Sequence, residues 1–142
     1  MHYHFKVKKD GKIYWATCVE LAGCATQAES LSELRTNMEE ALNLYLDEGP
    51  ESKHVFAMPA DKFNGKNIVR VPVAPNIAFA LLLRQTRIKH KFTQKQLAER
   101  LGMKNIYSYQ RLESPKTSNP ALSTISKLKK AMPDLHLENI FA

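Results

Sequence analysis

The sequence predicts an α+β chain, in which an antiparallel sheet carrying one helix is followed by an all-α part. Residues 3–8, 13–17 and 68–73 alternate between apolar and polar side chains, which is the period of a half-buried strand. From residue 77 onward, apolar side chains mostly recur every three or four positions, which is the period of a helix. We therefore expect two small domains, residues 1–74 and 75–142.

Charge is divided unevenly between the two halves. Residues 1–75 contain nine Lys and Arg against ten Asp and Glu, whereas residues 76–142 contain twelve against four, so the net charges are −1 and +8. A neutral half joined to a basic half is typical of a nucleic-acid-binding module attached to another domain. Because no apolar run approaches the ~20 residues of a membrane span and the N-terminus lacks a signal-peptide pattern, we expect a cytoplasmic protein with no membrane partner.

The first two strands form a predicted hairpin around Asp10-Gly11, after which Ile13, Trp15 and Thr17 resume the alternation. The first strand has an apolar and a polar face. The polar side chains, which we expect to face water, are His2, His4, Lys6 and Lys8. His2 and His4 share this face, but no third ligand is visible nearby, so an exposed strand face is favoured over a metal site.

Residues 25–28 are a candidate third strand. Ser30 and Glu33 have the spacing of a capping box, and the helix that they start is expected to run to about Glu48, before Gly49-Pro50. Its expected apolar stripe consists of Leu31, Leu34, Met38, Ala41, Leu42 and Tyr45. Residues 51–67 are expected to be a loop with at most one short edge segment, followed by an edge strand at residues 68–73 that contains Pro72.

Nothing in the first half looks catalytic. Residues 2–9 and 12–19 contain no carboxylate, so there is no acidic cluster to bind magnesium for nuclease chemistry. There is also no nucleophile with an evident base and no glycine-rich phosphate loop. Cys18 and Cys24 are expected to be structural thiols. We therefore predict a binding surface rather than an enzyme, with no catalytic residue, metal or cofactor.

Residues 93–113 predict two short helices joined by a tight turn. Thr93 and Gln96 have capping-box spacing, Gly102 stands where a helix C-cap needs positive φ, and Asn105 is a good N-cap for the second helix. Such a pair is the sequence form of a DNA-binding helix-turn-helix. A helical hairpin that only packs is the alternative, and the basic charge of this half argues against it.

With both halves described, the chain resembles the HicB antitoxins of HicA/HicB toxin-antitoxin systems. In the first half the resemblance covers the Tyr3 strand, Tyr14-Trp15-Ala16, residues 20–27, Ser30-Leu31-Ser32-Glu33-Leu34 and Glu39-Glu40-Ala41-Leu42. In the second half it covers residues 83 to about 128, including Tyr109-Gln110-Arg111-Leu112-Glu113 and Asn119-Pro120. Ala22 stands where the family usually has proline, and Ala28 where glycine is frequent.

The resemblance implies a degenerate, partial ribonuclease-H-like N-terminal domain that binds and blocks a small RNA-cleaving HicA toxin. It also implies a C-terminal module that represses the operon encoding both proteins. This module is similar to phage-repressor-type domains, in which an arginine of the first helix pairs with a glutamate that ends the recognition helix. Arg87 and Glu113 match that pair, which would be structural rather than DNA-reading.

The span from Gly102 to Glu113 is one residue longer than in the commonest phage-repressor pattern, so residues across the turn cannot be matched one by one. Taking Tyr109 and Leu112 as buried fixes which side of the second helix faces DNA. The candidate DNA contacts are Thr93, Gln94, Lys104, Asn105, Tyr107, Ser108, Gln110, Arg111 and Asn119. Gln94 would lie near a phosphate or base edge, and Arg111 would enter the major groove. Lys104, Ser108, Lys116 and Asn119 are better placed for phosphates. Tyr107 either contacts DNA or packs against a neighbouring helix.

The remaining helices are predicted around this pair. Asn76 is expected to cap a helix from Ile77, whose apolar positions are wide enough to meet a dimer partner or the N-terminal domain. Pro120 is expected to start another helix, with its inward-facing side chains being Leu122, Ile125 and Leu128. The apolar tail, residues 135–141, is expected to dock, with a dimer interface as the candidate site.

Two functional alternatives stay open beside the antitoxin hypothesis. The first is a stand-alone transcriptional regulator whose N-terminal domain senses a ligand or only oligomerises. The second is an active nuclease, which the missing acidic cluster disfavours. For the antitoxin, the expected partners are a HicA-type toxin, double-stranded operator DNA and further copies of this chain, in a homodimer or a higher homo-oligomer.

Overall fold

The structure is a computed structural model that describes residues 1–142, with a four-stranded antiparallel sheet and six helices. The chain forms two compact units. The first consists of Met1–Leu46 and Phe56–Ala74, and the second of Asp47–Val55 and Pro75–Ala142. The α+β class is therefore confirmed. Asp47–Val55, which the sequence pattern assigned to the first domain, packs with the second.

The first unit contains the sheet and one helix. Its strands are β1 (His2–Asp10), β2 (Ile13–Cys18), β3 (Ala25–Ala28) and β4 (Ile68–Pro72), and its helix is α1 (Leu31–Leu46). All strands pair antiparallel in the order β3-β2-β1-β4. The expected order of elements is confirmed, including the candidate third strand and the edge position of the strand that contains Pro72.

The hairpin between β1 and β2 fixes the register of the sheet. Asp10 pairs with Ile13, which leaves a two-residue loop, and Gly11 has φ +60° at its first position. A positive φ there is the requirement of a type II′ turn, which glycine meets without steric cost. Because side chains alternate between faces, this register decides which residues of β2 point towards α1.

One face of the sheet packs against α1. Four leucine and methionine side chains of α1 are buried there, three or four residues apart: Leu34, Met38, Leu42 and Leu46. β2 turns Ala16 and Cys18 to the buried side, while Ile13, Trp15 and Thr17 point the other way. The predicted stripe was wrong at Leu31, which is 59% exposed because it stands at the first position of the helix, before the core.

The prediction that the polar face of β1 is exposed to water was wrong at His4. Lys6 and Lys8 are exposed as expected, but His4 is buried. Its backbone N–H donates to Glu20 Oε1 at 3.0 Å, and its Nδ1 lies 3.1 Å from Glu20 Oε2. The Phe63 ring covers it at a centroid distance of 6.0 Å. Partners distant in sequence therefore cover one end of this face.

The two cysteines and the loop after α1 were also addressed by the sequence pattern. Cys18 and Cys24 are free, buried thiols. Their mutual hydrogen bond lowers the pKa of Cys18, and the same bond together with burial raises that of Cys24. Residues 51–67 form no helix or strand, so the short edge segment allowed for in this loop is absent. Phe56 is nevertheless buried against Tyr45, with ring centroids 5.7 Å apart.

The second unit contains five helices: α2 (Pro75–Lys89), α3 (Gln94–Arg100), α4 (Ile106–Glu113), α5 (Leu122–Ala131) and α6 (Glu138–Phe141). The helix expected from Ile77 begins at Pro75, since proline suits the first helical position. Asn76 is therefore inside the helix and caps nothing. Its side chain instead donates to Pro115 O at 2.7 Å.

The predicted apolar side of α5 is wrong at one residue. Leu128 is buried and Ile125 is half-buried, but Leu122 is 84% exposed. Six residues separate Leu122 from Leu128, and at 3.6 residues per turn they point to different sides of α5. The tail packs within this chain, where Leu135 and Ile140 are buried, and the dimer interface stays a prediction. No helix has the length and apolar character needed to cross a membrane.

Candidate functional site

The start of α3 is fixed by a complete capping box. Thr93 Oγ1 accepts a hydrogen bond from the Gln96 backbone N–H at 3.0 Å, and Gln96 Oε1 accepts one from the Thr93 N–H at 2.9 Å. Two backbone donors that the helix itself cannot satisfy are thereby paired. Leu97 and Ala98 of this helix are buried. The capping box expected from the sequence is present.

The connection to α4 is equally defined. Gly102 has φ +72°, and its N–H donates to Glu99 O at 3.0 Å. Asn105 is the N-cap of α4, where its Oδ1 accepts from the Ser108 N–H at 3.0 Å. Thr93, Gly102 and Asn105 thus mark the boundaries of the two helices where the sequence indicated them.

The phase of α4 agrees with the expected one. Tyr109 and Leu112 are buried, and Glu113 at the last helical position is fully buried. The side chains that remain exposed on and just before the helix are Lys104, Asn105, Tyr107, Ser108 and Arg111. Tyr107 is 73% exposed, so within this chain it does not pack against a neighbouring helix.

A charged network lies beneath α4. Arg87 Nε donates to Glu113 Oε1 at 2.5 Å, and Arg87 Nη2 donates to Glu113 Oε2 at 3.2 Å, so the expected pair is present and bidentate. Tyr109 Oη donates to Glu113 Oε1 at 2.8 Å. Both ends of the carboxylate are therefore bonded, as a buried charge requires.

The surroundings of Glu113 shift the protonation of its partners. Burial, followed by the charge of Glu113, raises the pKa of Tyr109 well above its ordinary value, so the phenol stays protonated and donates. For Arg87, burial disfavours the charged form, but its hydrogen bond and attraction to Glu113 outweigh that effect and raise the pKa. Arg87 therefore stays charged beside Glu113.

Arg84 is a buried cation that the sequence analysis did not single out. Its Nη2 donates to three carbonyl oxygens: Glu48 at 2.9 Å, Gly49 at 2.8 Å and Glu113 at 3.2 Å. It thereby joins residues 47–55 to the C-terminal end of α4, where the helix dipole favours a cation. Burial lowers the pKa of Arg84, and Glu113 opposes that effect.

Gln94 and Gln110 are held within the second unit rather than presented freely. Gln94 Nε2 donates to Glu113 Oε2 at 2.8 Å and to Pro50 O at 2.5 Å. Gln94 Oε1 accepts from Gln110 Nε2 at 3.1 Å. Both side chains are half-buried. In this arrangement the two amides orient each other, and the Gln94 amide must leave Pro50 before it can donate to a phosphate.

The segment after α4 returns the chain across the end of that helix. Thr117 Oγ1 donates to Arg111 O and Ser118 Oγ donates to Leu112 O, both at 2.8 Å. These bonds satisfy carbonyl groups that have no partner inside the helix. Lys116 and Asn119, two of the expected phosphate contacts, follow on the surface and are exposed.

The exposed side of α4 is suited to a polyanion. Glu113 is the only carboxylate of α4, and it is buried, so the outer side carries Arg111 without an acidic neighbour on the same helix. Lys104 precedes the helix, and Ser108 and Tyr107 add hydroxyl groups. Arginine donates two parallel hydrogen bonds to a guanine edge or to a phosphate. No group of three or more His, Cys, Asp or Glu side chains that could bind a metal ion occurs in the structure.

Comparison with known proteins adds no family to these observations: no protein-family model matches the chain, and no curated protein matches it significantly in sequence.

Proposed function

We propose that this protein is an antitoxin of the HicB type. It neutralises a small RNA-cleaving HicA-type toxin through its first unit and represses its own operon through its second unit. In this proposal α3 and α4 are a helix-turn-helix, and the sheet with α1 is a partial ribonuclease-H-like fold. The chain acts in the cytoplasm and is not an enzyme.

The observation that carries the DNA-binding part is the polarity of α4. Its inner side is anchored by the buried Arg87–Glu113 pair, while its outer side presents Arg111 and Tyr107 without a competing carboxylate. A basic side chain on a rigid helix, with Lys104 just before the helix, supports affinity for phosphates, and its fixed position allows base edges to be discriminated. Asn119 and Lys116, beyond the helix, are proposed phosphate contacts.

Gln94 enters the proposed interface in a modified role. The sequence suggested that its amide contacts DNA directly. Because Gln94 bonds both Glu113 and Gln110, we assign it to orienting the Gln110 side chain on α4. Thr93 and Asn105 contribute mainly as caps, and their exposed hydroxyl and amide lie at helix N-termini, where a phosphate is favoured.

The toxin-binding part is supported by the resemblance of residues 3–42 to the family and by the order of elements. Two strands, a short third strand, one helix and an edge strand follow one another along the chain, and we propose that they form the partial ribonuclease-H-like domain that the resemblance implies. In the second unit, pairing of two copies is proposed for a physical reason. Two recognition helices one turn of DNA apart, about 34–36 Å, read an inverted repeat and double the contacts.

The toxin is the part that needs direct identification. The tagged chain is purified from its own host after nuclease treatment, at salt high enough to remove nonspecific partners, and its native mass is measured. The proposal expects a small basic polypeptide at a fixed ratio, which cleaves RNA when separated from this chain. Recovery only as a homo-oligomer, with intact DNA binding, would instead establish the stand-alone regulator with a ligand-sensing or oligomerising first unit.

The nuclease alternative has a separate test. The purified chain is incubated with RNA and Mg²⁺, with and without EDTA. The proposal expects no cleavage by this chain in either condition. Cleavage that EDTA abolishes and that persists after removal of every copurified polypeptide would overturn the proposed function, because it would make the first unit an enzyme.

A further inference from the structure

The sheet face opposite α1 is uncovered over most of its length. At one end Phe63 and Glu20 cover His4, but from Lys6 onward no element of the first unit packs on this face. Trp15, the only tryptophan of the chain, is 46% exposed in its middle. We call this surface the open face. Its residues are Lys6, Lys8, Ile13, Trp15, Thr17 and Gln27.

The strand register surrounds Trp15 with polar side chains. Lys8 of β1 is its direct partner on one side, and Gln27 of β3 is its direct partner on the other. Direct partners on one sheet face have Cβ atoms about 4.5–5.5 Å apart, so both side chains reach the edges of the indole ring. Lys6 precedes Lys8 by two residues, about 6.8 Å along the strand, and pairs with Thr17.

The charge of the open face is positive. Lys6 and Lys8 are both exposed. The nearest carboxylate of β1 is Asp10, at the hairpin end, and Glu20 is buried with His4. Asp10 shares this face and lies two residues from Lys8, opposite Ile13, whereas the lysines themselves stand opposite Trp15 and Thr17. The first half as a whole, by contrast, has a slightly negative net charge.

We infer that the open face binds single-stranded RNA, with one base stacked on Trp15 and the adjacent phosphates on Lys6 and Lys8. An exposed aromatic ring on an antiparallel sheet, flanked by cations that follow a strand, is the physical requirement of a base-stacking platform. The Thr17 hydroxyl and the Gln27 amide stand beside the ring. They are the groups that can bond a ribose 2′-hydroxyl or a base edge.

Other occupants fit the open face less well. In duplex nucleic acid the base faces are stacked on one another, so Trp15 has none to cover. The centre of a protein–protein interface is depleted in lysine, whereas here Lys8 is the direct neighbour of the only tryptophan. A docked protein would remove both lysine ammonium groups from water, and each would then need an acidic partner. The phosphates of a nucleic acid supply that negative charge along the whole strand. The inference does not depend on the proposed function of the second unit.

The first test uses the fluorescence of Trp15, which reports only on the open face because the chain has no other tryptophan. The full chain is titrated with an eight-nucleotide oligo(U) at low salt. We expect saturable quenching that weakens as salt increases, with a slope of log K against log salt of about −1.4 for two phosphates. An unrelated RNA–RNA duplex at the same nucleotide concentration is expected to leave the fluorescence unchanged. Absence of quenching by oligo(U) would overturn the inference.

Matched variants separate the open face from the basic second unit. Binding of labelled oligo(U) is measured by anisotropy for Lys6→Glu/Lys8→Glu and for Lys127→Glu/Lys130→Glu, which changes the net charge equally on the exposed side of α5. We expect the affinity of the Lys6→Glu/Lys8→Glu variant for oligo(U) to be at least tenfold lower than that of the Lys127→Glu/Lys130→Glu variant. Equal losses would mean nonspecific attraction to the whole chain and would overturn the inference.

Stacking and sugar recognition have their own readouts. Trp15→Ala is expected to weaken oligo(U) binding about tenfold or more, whereas Trp15→Phe, which keeps a ring for stacking, retains most of it. Oligo(dT) of the same length is expected to bind several-fold more weakly, and equal binding would overturn the assignment to RNA. If a copurified protein shields Trp15 from acrylamide while oligo(U) does not, the open face is a protein-docking surface and the inference is wrong.

Discussion

The exposed side of α4 and the open face of the sheet present similar chemistry on different supports. Each shows one exposed aromatic ring beside cations: Tyr107 and Arg111 on α4, and Trp15 with Lys8 on the sheet. Beneath α4 lies a network of buried charges centred on Glu113. Beneath Trp15 lies an apolar core, and the strand ladder itself fixes the side chains.

The difference teaches how each surface depends on the residues under it. The geometry of α4 rests on a few charged side chains, each of which leaves a buried charge unpaired if its partner is removed. The open face rests on backbone hydrogen bonds, which no single side chain supplies. Substitutions beneath α4 should therefore be costly, whereas those on the open face should act locally.

The largest expected effect is that of Glu113→Gln. The amide nearly preserves the volume of Glu113 but leaves Arg87 and Arg84 without their buried counter-charge, so we expect a loss of about 3–5 kcal/mol in the free energy of unfolding. Denaturant titration followed by far-UV circular dichroism measures it. Glu138→Gln, at an exposed carboxylate, is the matched control, with an expected change within about 0.5 kcal/mol.

The same variant sharpens the comparison between the two surfaces. Glu113→Gln should weaken duplex DNA binding strongly but leave the response of Trp15 to oligo(U) unchanged, under conditions in which the chain is still folded. A parallel loss of both responses would mean that the surfaces do not have separate supports, contrary to the distinction drawn between them.

A smaller effect is expected at the N-cap of α4. Asn105→Ala removes the side-chain oxygen that accepts from the Ser108 N–H, so stability should fall by about 1 kcal/mol. Asn119→Ala, at an exposed asparagine outside any helix, should change stability by less than about 0.5 kcal/mol. Comparing the unfolding midpoints of the two variants checks the cap. Similar midpoints would show that the Asn105 cap contributes no measurable stability.

A still smaller change is expected from Lys8→Ala on the open face. The strand ladder does not use this side chain, and its exposed ammonium group pairs with no carboxylate, so stability should change by less than about 0.5 kcal/mol. RNA binding should nevertheless fall. Loss of stability comparable to that of Asn105→Ala would indicate a structural role for Lys8 and contradict the account of the sheet.

The smallest effect concerns an exposed ion pair in the second unit. Hydrogen bonds from His90 and Lys89 lower the pKa of Asp134 from 3.8 to about 2. Since the pKa is lower in the folded chain, the stabilisation is fully present above pH 3.8 and is lost as the pH falls towards 2. The melting temperatures of the wild type and Asp134→Asn should therefore converge over that range. A difference that stays constant down to pH 2 would exclude this linkage.

Local signals in the sequence were sufficient for much of the candidate site. Thr93, Gln96 and Asn105 are caps because of their own short side chains and spacing, so their roles could be assigned without tertiary information. The phase of α4 followed from Tyr109 and Leu112. The pair of Arg87 and Glu113 was expected only through a resemblance, since 26 residues separate the two side chains.

The features that were not predicted depend on contacts between distant segments. Arg84 lies in an apolar run of α2, and its acceptors are carbonyl groups of residues 48, 49 and 113, which leave no trace in side-chain patterns. His4 is buried because Glu20 and Phe63 come from elsewhere in the first unit. Likewise, the alternation of β2 did not show that its tryptophan faces away from the helix, because both faces of that strand carry apolar residues.

The most direct measurement of the central claim compares Arg111→Ala with wild type on two DNA duplexes. One is the sequence that the wild-type chain selects from a random pool, and the other is unrelated. If α4 reads bases through Arg111, the variant should lose about 1–3 kcal/mol of binding free energy on the selected duplex and little on the other. Lys127→Ala, on α5, controls for the lost charge. Equal losses on both duplexes, or failure of the wild type to select any sequence, would contradict the assignment of α4 as a recognition helix.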